Sequence, residues 1–183
     1  MKIHSPSVRA DAFGERTDDT VQQDTMAIGY EGRWREVGEL SIGVQRTSYE
    51  KEVRQPNLPL TATRDEPWLV SATLAGYLSK SVALYGSYTR GLEESGLAPQ
   101  DVVNRNEALP AIRTKQMDAG VRWTITPTLK LVAGAFEVEK PYFTTSDSNV
   151  FTILGDVRHR GVELSVAGAA TETLSIVAGA VLM

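Results

Sequence analysis

The sequence predicts an all-β fold, an antiparallel up-and-down meander of long strands. Two regularities predict it. Short, turn-rich breaks alternate with longer polar segments, and the runs between them, about 10 to 15 residues each, alternate apolar and polar side chains as strands do. A soluble strand usually has about five or six residues. A tilted strand that crosses a bilayer needs about 9 to 11 residues, so these runs are long enough to be transmembrane strands.

The connections follow a regular order. Strand, tight turn, strand and long loop repeat four times, and neighbouring tight turns are centred roughly 44 to 48 residues apart. Bacterial outer-membrane barrels have short periplasmic turns and longer extracellular loops, so the tight turns are predicted to face the periplasm. The tight turns are placed at residues 32–37, 78–81, 126–128 and 169–173, and the long loops at 14–20, 54–66, 93–108 and 141–149.

Prolines support these boundaries, because proline cannot donate a hydrogen bond to a strand ladder. Pro127 is predicted to lie in a turn, and Pro141 is predicted to end its strand. Pro56, Pro59 and Pro67 are predicted to keep the second long loop out of regular structure.

Ionised residues distinguish the two faces of the predicted strands. Three runs carry a charge in mid-strand on one face and aliphatic side chains on the other. The charged residues are Glu39, Arg122 and Glu163, and their neighbours on the opposite face are Leu40, Val121 and Leu164. A charge can face a watery lumen but not lipid, so the charged face is predicted to line the lumen. In the run 130–140, Glu137 and Glu139 are assigned to that lumen face as well.

Aromatic residues lie near the ends of the runs. Trp34, Tyr77 and Trp123 are close to tight turns, and Trp68 opens a strand on the loop side. These positions suit the aromatic girdles of a membrane barrel. Ordinary cross-strand packing explains them equally well.

Composition excludes several functions. The chain has 183 residues, a net charge of -4 and no basic stripe, so nucleic acid is not an expected partner. It has no cysteine and only two histidines, His4 and His159, which are far apart, so no protein metal site is expected. No Gly-x-Ser-x-Gly motif or phosphate-binding glycine loop occurs, so the chain is not expected to be an enzyme. No apolar h-region follows Met1, so a secretory signal peptide is not predicted.

Five segments in the later part of the chain resemble the barrel of TonB-dependent siderophore receptors. They are LYGSYTRGLE at 84–93, the loop with Ala98-Pro99, Asn104 and Leu109-Pro110, TKQMDAGVR at 114–122, AFEVEKP at 135–141, and Gly155 followed by RHRGVEL at 158–164. Their order and spacing fit the family over about 100 residues, from 80 to 183, whereas residues 1–79 fit only in general pattern.

The resemblance implies a 22-stranded barrel in the outer membrane of a Gram-negative bacterium, with an N-terminal plug that couples to the TonB complex. Residues 1–183 would be one partial barrel domain, with the plug and the C-terminal strands absent. The implied ligand is a ferric siderophore, which carries the iron itself, so no protein cofactor is expected. Outer-membrane lipids and the TonB complex are the other implied partners.

The resemblance implies that the ligand is contacted by extracellular loops and by the rim of the lumen. The candidates for substrate binding are Trp68, Arg105, Tyr142 and Phe143. Aromatic faces together with a cation suit an anionic iron chelate. Ordinary solvated loop residues are the alternative interpretation of each.

Three other functions are open at this point. The receptor could import another substrate, such as cobalamin or a sugar. The chain could be a soluble all-β binding domain with long strands, or a simple outer-membrane pore or barrel enzyme. The strand length and the strict order of turns and loops favour the receptor over the soluble domain.

Overall fold

The computed structural model describes residues 17–56 and 58–183. In this part of the chain, nine strands form one antiparallel sheet. They are β1 (Asp18–Trp34), β2 (Gly38–Arg54), β3 (Thr61–Asp65), β4 (Trp68–Tyr77), β5 (Val82–Glu93), β6 (Ile112–Thr126), β7 (Leu129–Thr145), β8 (Phe151–Ala169) and β9 (Ser175–Leu182). Each long strand pairs with the next one along the chain, which confirms the predicted meander. The sheet is open, with β1 and β9 at its edges.

The predicted order of connections is confirmed within the described residues. Tight turns at 35–37, 78–81, 127–128 and 170–174 lie at one end of the sheet, and the longer connections lie at the other. Residues 14–16 of the first predicted loop are outside the described residues, and β1 already begins at Asp18. None of the described elements is a helix long and apolar enough to cross a membrane.

The second long loop contains a strand, contrary to the prediction from its prolines. β3 pairs with Tyr49–Val53 of β2. The ladder between β2 and β4 ends at Arg46↔Trp68, so the loop end of β2 has an edge that β4 does not cover. An uncovered edge presents unpaired N–H and C=O groups. The five residues of β3 satisfy that edge, and the prolines flank them instead of excluding a strand.

The prediction that Pro141 ends its strand is also wrong. Pro141 lies inside β7, opposite Asp156 of β8, and the strand continues to Thr145. The ladder between β7 and β6 stops at Lys115↔Glu139, so β7 has a free edge at Pro141. A strand with one free edge tolerates a proline. The connection predicted at 141–149 therefore shrinks to residues 146–150.

The separation of charged and aliphatic residues onto opposite faces is confirmed. Residues paired across an antiparallel ladder share a face. One continuous row crosses six strands and comprises Glu39, Ala75, Tyr85, Gly120, Gly134 and Glu163. The row next to it comprises Leu40, Leu74, Gly86, Ala119, Ala135 and Val162. We call the surface with Glu39 the polar face and the surface with Leu40 the apolar face.

Glu137 and Glu139 lie on the apolar face, which corrects their assignment to the lumen. They alternate with the polar-face residues Phe136 and Val138 and continue the line of Ala135 towards the loops. β7 has 17 residues, more than a bilayer crossing needs. Glu137 is at its midpoint, opposite Met117 of β6, and Glu139 is one step nearer the loops, so both charges lie towards the loop end of the apolar face.

The apolar face carries a continuous hydrophobic band. On β6 the band runs from Met117 to Ile125, and Lys115 lies just beyond it on the loop side. Eight residue steps of about 3.4 Å at a tilt of about 40° give a height of roughly 21 Å. Membrane barrels have an apolar band about 25 Å tall, so the face is dimensioned to contact lipid.

Candidate functional site

A charged cluster occupies the polar face near the tight turns. One carboxylate, that of Glu39, accepts hydrogen bonds from the Tyr77 hydroxyl (2.6 Å) and from Nη2 of Arg122 (3.4 Å), and it also pairs with Nε of Arg33 (3.2 Å). The Arg122 guanidinium lies 5.7 Å from the centre of the Tyr85 ring. This cluster joins five strands, β1, β2, β4, β5 and β6, and gives the polar face its charge at that end.

Two aromatic rings on the polar face lie over glycines of other strands: Tyr85 of β5 reaches across β6 to Gly134 of β7, and Phe136 of β7 lies over Gly161 of β8. A Cβ on Gly134 would be 2.6 Å from the Tyr85 hydroxyl, and a Cβ on Gly161 would be 2.6 Å from Cζ of Phe136. Glycine leaves room for a ring to lie flat on the sheet. The glycines at these positions therefore set how closely the rings approach the sheet.

At the opposite end, the connection 94–111 folds against the polar face of β2. Nζ of Lys51 is 2.7 Å from Oε1 of Glu94, 2.8 Å from the Ser95 carbonyl and 3.0 Å from Oδ2 of Asp19. The Lys51 side chain is 2% exposed. The lysine thus anchors the start of the connection to β1 and β2, although it is a charge that water would otherwise solvate.

This connection has a small hydrophobic core of its own. Buried Ala98, Val102 and Leu109 pack with Phe143 and Phe151 of the hairpin β7–β8. The two phenylalanine rings are stacked with their centres 6.1 Å apart. We call residues 94–111 together with Phe143 and Phe151 the loop platform. A loop with its own core holds a defined shape at the mouth of the sheet.

Polar contacts join the two halves of the loop platform. The side chain of Asn104 accepts a hydrogen bond from the Phe151 N–H (2.9 Å) and donates one to the Phe151 carbonyl (2.9 Å). The Val103 N–H donates to the Asn149 carbonyl (2.9 Å). These bonds fix the connection 94–111 against the β7–β8 hairpin.

Three of the four predicted substrate-binding residues lie at the loop platform. Phe143 is part of its core. Arg105 is exposed on the platform, and its N–H donates to the Val102 carbonyl (3.2 Å). Tyr142 precedes Phe143 and is 51% exposed. The structure thus places Arg105 and Phe143 on the loop platform, with Tyr142 as the exposed residue before Phe143 in β7.

Trp68 lies elsewhere. It pairs with Arg46 at the start of β4 on the apolar face, and the Arg46 guanidinium lies 5.5 Å from the centre of its ring. Trp68 is 57% exposed, next to the hydrophobic band. This position suits an aromatic residue of a membrane-interface girdle, which was the other interpretation of Trp68 from the sequence.

Three residues that build the loop platform escaped prediction: Lys51, Asn104 and Phe151. Strand alternation puts Lys51 on the polar face, but no sequence pattern indicates that a loop covers it. Asn104 and Phe151 meet across 47 positions of sequence. Among residues 17–56 and 58–183, no group of three or more acidic, histidine or cysteine side chains is arranged to hold a metal ion.

Comparisons with known proteins agree with this architecture. A family model described as "TonB dependent receptor-like, beta-barrel" matches residues 6–181, which extends the fit to the part of the chain where the motifs gave only a general pattern. No curated protein sequence matches the chain.

Solved structures share the fold. The siderophore receptor PiuA from Acinetobacter baumannii is 18% identical with a TM-score of 0.75, over 89% of this chain and 25% of the receptor. BauA, the ferric preacinetobactin receptor of the same organism, is 22% identical with a TM-score of 0.70, over 90% of this chain and 25% of the receptor. The copper transporter OprC is 14% identical with a TM-score of 0.63, over 88% of this chain and 29% of the transporter. The chain thus spans about a quarter of the length of the receptors that it matches.

Proposed function

The chain belongs to the TonB-dependent receptor-like β-barrel family, and we propose that it forms part of an outer-membrane receptor that imports ferric siderophores. The family is one of receptors and transporters, and we assign no catalytic step to the chain. The observation that carries the proposal is the loop platform at the long-loop end of a membrane-sized sheet, which has exposed Arg105 on a packed base and is flanked in sequence by exposed Tyr142 of β7.

The chemistry of the loop platform suits an anionic iron chelate. Arg105 supplies a planar guanidinium cation that can donate several hydrogen bonds to an anion. Tyr142 supplies an aromatic face with a polar tip. Phe143 supports the platform from within, so we propose that it acts on the ligand indirectly. Iron would enter bound to the siderophore, without ligands from the protein.

The remaining features of the proposal follow from family membership. Residues 1–183 are proposed to be part of a single barrel domain that is completed by further strands and by a plug. The plug is proposed to receive energy from the TonB complex. The barrel is proposed to lie in the outer membrane of a Gram-negative bacterium, with the hydrophobic band against lipid and the long loops outside.

Ligand binding by the full-length receptor tests the proposal. Ferric siderophores of the catecholate, hydroxamate and carboxylate classes are titrated against the detergent-solubilised receptor, and the quenching of protein fluorescence gives the Kd. We expect Tyr142→Ala to weaken binding about ten-fold, as expected when one aromatic contact of about 1.4 kcal/mol is lost. Trp68→Phe is the control, since its ring contacts lipid and the Kd is expected to stay the same.

Two results would contradict this function. The first is recovery of the full-length protein as a water-soluble monomer instead of in the outer-membrane fraction. The second is saturable uptake of free copper, cobalamin or a sugar by cells that carry the receptor, with no binding of any ferric siderophore. Free copper is included because the copper transporter OprC shares the fold.

A further inference from the structure

Arg105 lies between two asparagines that bind different parts of the barrel. Asn104 binds the backbone of Phe151 in β8. Asn106 instead contacts Gln55, directly after β2, and the first residue of β3. The backbone of Arg105 is therefore fixed on both sides, while its side chain is exposed. None of the ion pairs among the described residues includes Arg105, so its guanidinium is available to an anionic ligand.

Three side-chain amides meet at Asn106. Its Oδ1 accepts hydrogen bonds from Nε2 of Gln55 (3.1 Å) and from Nε2 of Gln100. Its Nδ2 donates to Oε1 of Gln100 (3.4 Å). We call Gln55, Gln100 and Asn106 the amide lock. Asn106 is 6% exposed, so water does not readily replace a bond that is lost, and an unpaired buried amide is costly.

The backbone of Asn106 is held as well. Its N–H donates to the Ala98 carbonyl (2.9 Å), and its carbonyl accepts a hydrogen bond from the Thr61 hydroxyl (3.2 Å). Its φ is +62°, in the left-handed region that asparagine tolerates better than most residues. The course of the chain directly after Arg105 therefore depends on residue 106.

From these contacts we infer that Asn106 is a positioning residue for Arg105 in ligand binding. The inference rests on the proposed function, in which Arg105 contacts an anionic ferric siderophore. The amide lock joins the loop platform to the end of β2 and keeps the loop in the conformation from which the guanidinium meets the ligand. Because the loop is ordered before the ligand arrives, binding does not bear the entropic cost of ordering it. Asn106 itself is too buried to contact the ligand, so it acts through Arg105.

The substitution Asn106→Gly isolates the amide lock. Glycine adopts the left-handed conformation without strain, and the backbone bonds to Ala98 and Thr61 remain, so only the side-chain amide contacts are lost. The loop then spends part of its time in other conformations, and the apparent Kd rises in inverse proportion to the fraction that is competent to bind. We expect the Kd to rise about five-fold, which corresponds to about a fifth of the molecules being competent.

A double-mutant cycle on the full-length, detergent-solubilised receptor tests the inference. The probe is whichever ferric siderophore of the catecholate, hydroxamate and carboxylate classes binds the unmodified receptor most tightly. Arg105→Gln should raise its Kd about 20-fold, in the range expected for hydrogen bonds to a charged group. In the Arg105→Gln background, Asn106→Gly should change the Kd by less than about two-fold, because the side chain that it positions is gone.

Two further variants complete the test. Glu36→Gly is the matched control, since Glu36 also has a positive φ (+64°) but lies in the tight turn at the other end of the sheet, and its Kd should stay the same. Gln55→Ala removes one contact of the amide lock from outside the loop. It should raise the Kd in the same direction as Asn106→Gly, again only when Arg105 is present, and it carries the test if Asn106→Gly does not fold.

The failure of this inference and the failure of the proposed function give different results. If no ferric siderophore binds, or if Arg105→Gln leaves the Kd unchanged, the ligand-binding role of Arg105 is wrong and the positioning role is overturned with it. If Arg105→Gln weakens binding but Asn106→Gly does not, the proposed function stands and only the positioning role is overturned. The same conclusion follows if Asn106→Gly weakens binding equally with and without Arg105, because the asparagine would then support the loop in general.

Discussion

Replacing Lys51 by methionine should loosen the loop platform without unfolding the barrel. The substitution keeps the length of the buried side chain and removes its ammonium group. Nζ of Lys51 contacts Asp19, Glu94 and the Ser95 carbonyl, and these three groups differ in their access to water. Their separate responses determine the size of the effect.

The two carboxylates lose little when the lysine is removed. The side chains of Asp19 and Glu94 are 40% and 55% exposed, so water replaces the lost hydrogen bonds. Ser95 is 2% exposed, and its carbonyl is left without a partner. An unsatisfied buried carbonyl costs about 1–3 kcal/mol. Relief from burying an ammonium offsets part of this cost, so we expect a net loss of about 1–2 kcal/mol, confined to the loop platform.

Hydrogen exchange of the full-length receptor measures this local loss. The reporting amides are those of Ala98 and Asn106, which donate to the Glu107 carbonyl (3.0 Å) and the Ala98 carbonyl (2.9 Å). A loss of about 1–2 kcal/mol should accelerate their exchange about 5- to 30-fold. Arg64→Met is the control, because the Arg64–Glu66 pair is exposed and contributes little.

The reasoning about Lys51 fails if the Ala98 and Asn106 amides exchange at their original rate in Lys51→Met. It fails equally if the strand amides of β5 and β6 accelerate to the same extent, since the lysine would then support the whole sheet.

Further predictions concern the sheet, the loop platform and one surface carboxylate. Gly155 has φ of +146° with open space around its Cα, so Gly155→Ala should lower the free energy of unfolding in urea by about 1–3 kcal/mol through backbone strain. Gly76 has equal space for an added Cβ but no positive φ, so Gly76→Ala should change the free energy of unfolding little. Gly134→Ala should cost about 1–3 kcal/mol in the same titration because it displaces the Tyr85 ring, and the cost should fall in a Tyr85→Ala background to the part caused by the Ala119 carbonyl, 3.2 Å from the added Cβ. Asn104→Ala removes both hydrogen bonds between the Asn104 side chain and the Phe151 backbone. Limited proteolysis should therefore show faster cleavage within residues 94–111. The hydrogen bond from Arg46, together with the charge of Arg64, lowers the pKa of Glu66 in the folded protein. The contact therefore stabilises the protein at pH values above the unfolded-state pKa of glutamate. This stabilisation is lost as the pH falls through the lower folded-state pKa. The difference in thermal stability between the unmodified receptor and Glu66→Gln should therefore be present at neutral pH and disappear in acid.

The fold was predictable from sequence because its two determinants are local. Alternation with a period of two and the spacing of turns depend on neighbouring residues only, and they place Leu40 and Glu39 on opposite faces correctly. The errors arise where a neighbouring strand decides the outcome. β3 exists because β4 leaves an edge of β2 uncovered, and Pro141 is tolerated because β6 ends early. Neither condition is visible in the segment itself.

The candidate site was predictable only in part, because it depends on contacts between distant segments. Arg105, Tyr142 and Phe143 were predicted as loop residues of suitable chemistry, and the structure places Tyr142 and Phe143 in β7. Their arrangement depends on Lys51, which binds a segment 43 positions away, and on Asn104, which binds one 47 positions away. β9 is apolar on both faces, and we have no physical account of this pattern.

The faces of Glu137 and Glu139 were assigned wrongly from sequence. A mid-strand charge was interpreted as facing water inside the barrel, whereas Glu137 lies on the apolar face opposite Met117, the last band residue of β6, and Glu139 lies one step nearer the loops. On the apolar face, Trp34 and Trp123 lie towards the tight turns, whereas Trp68 and the ion pairs of Glu137 and Glu139 lie towards the loops. Loop length indicates the same polarity without reference to any face. Because loop length does not depend on which face a strand presents, an error in the face of one strand leaves the direction inferred from the loops unchanged.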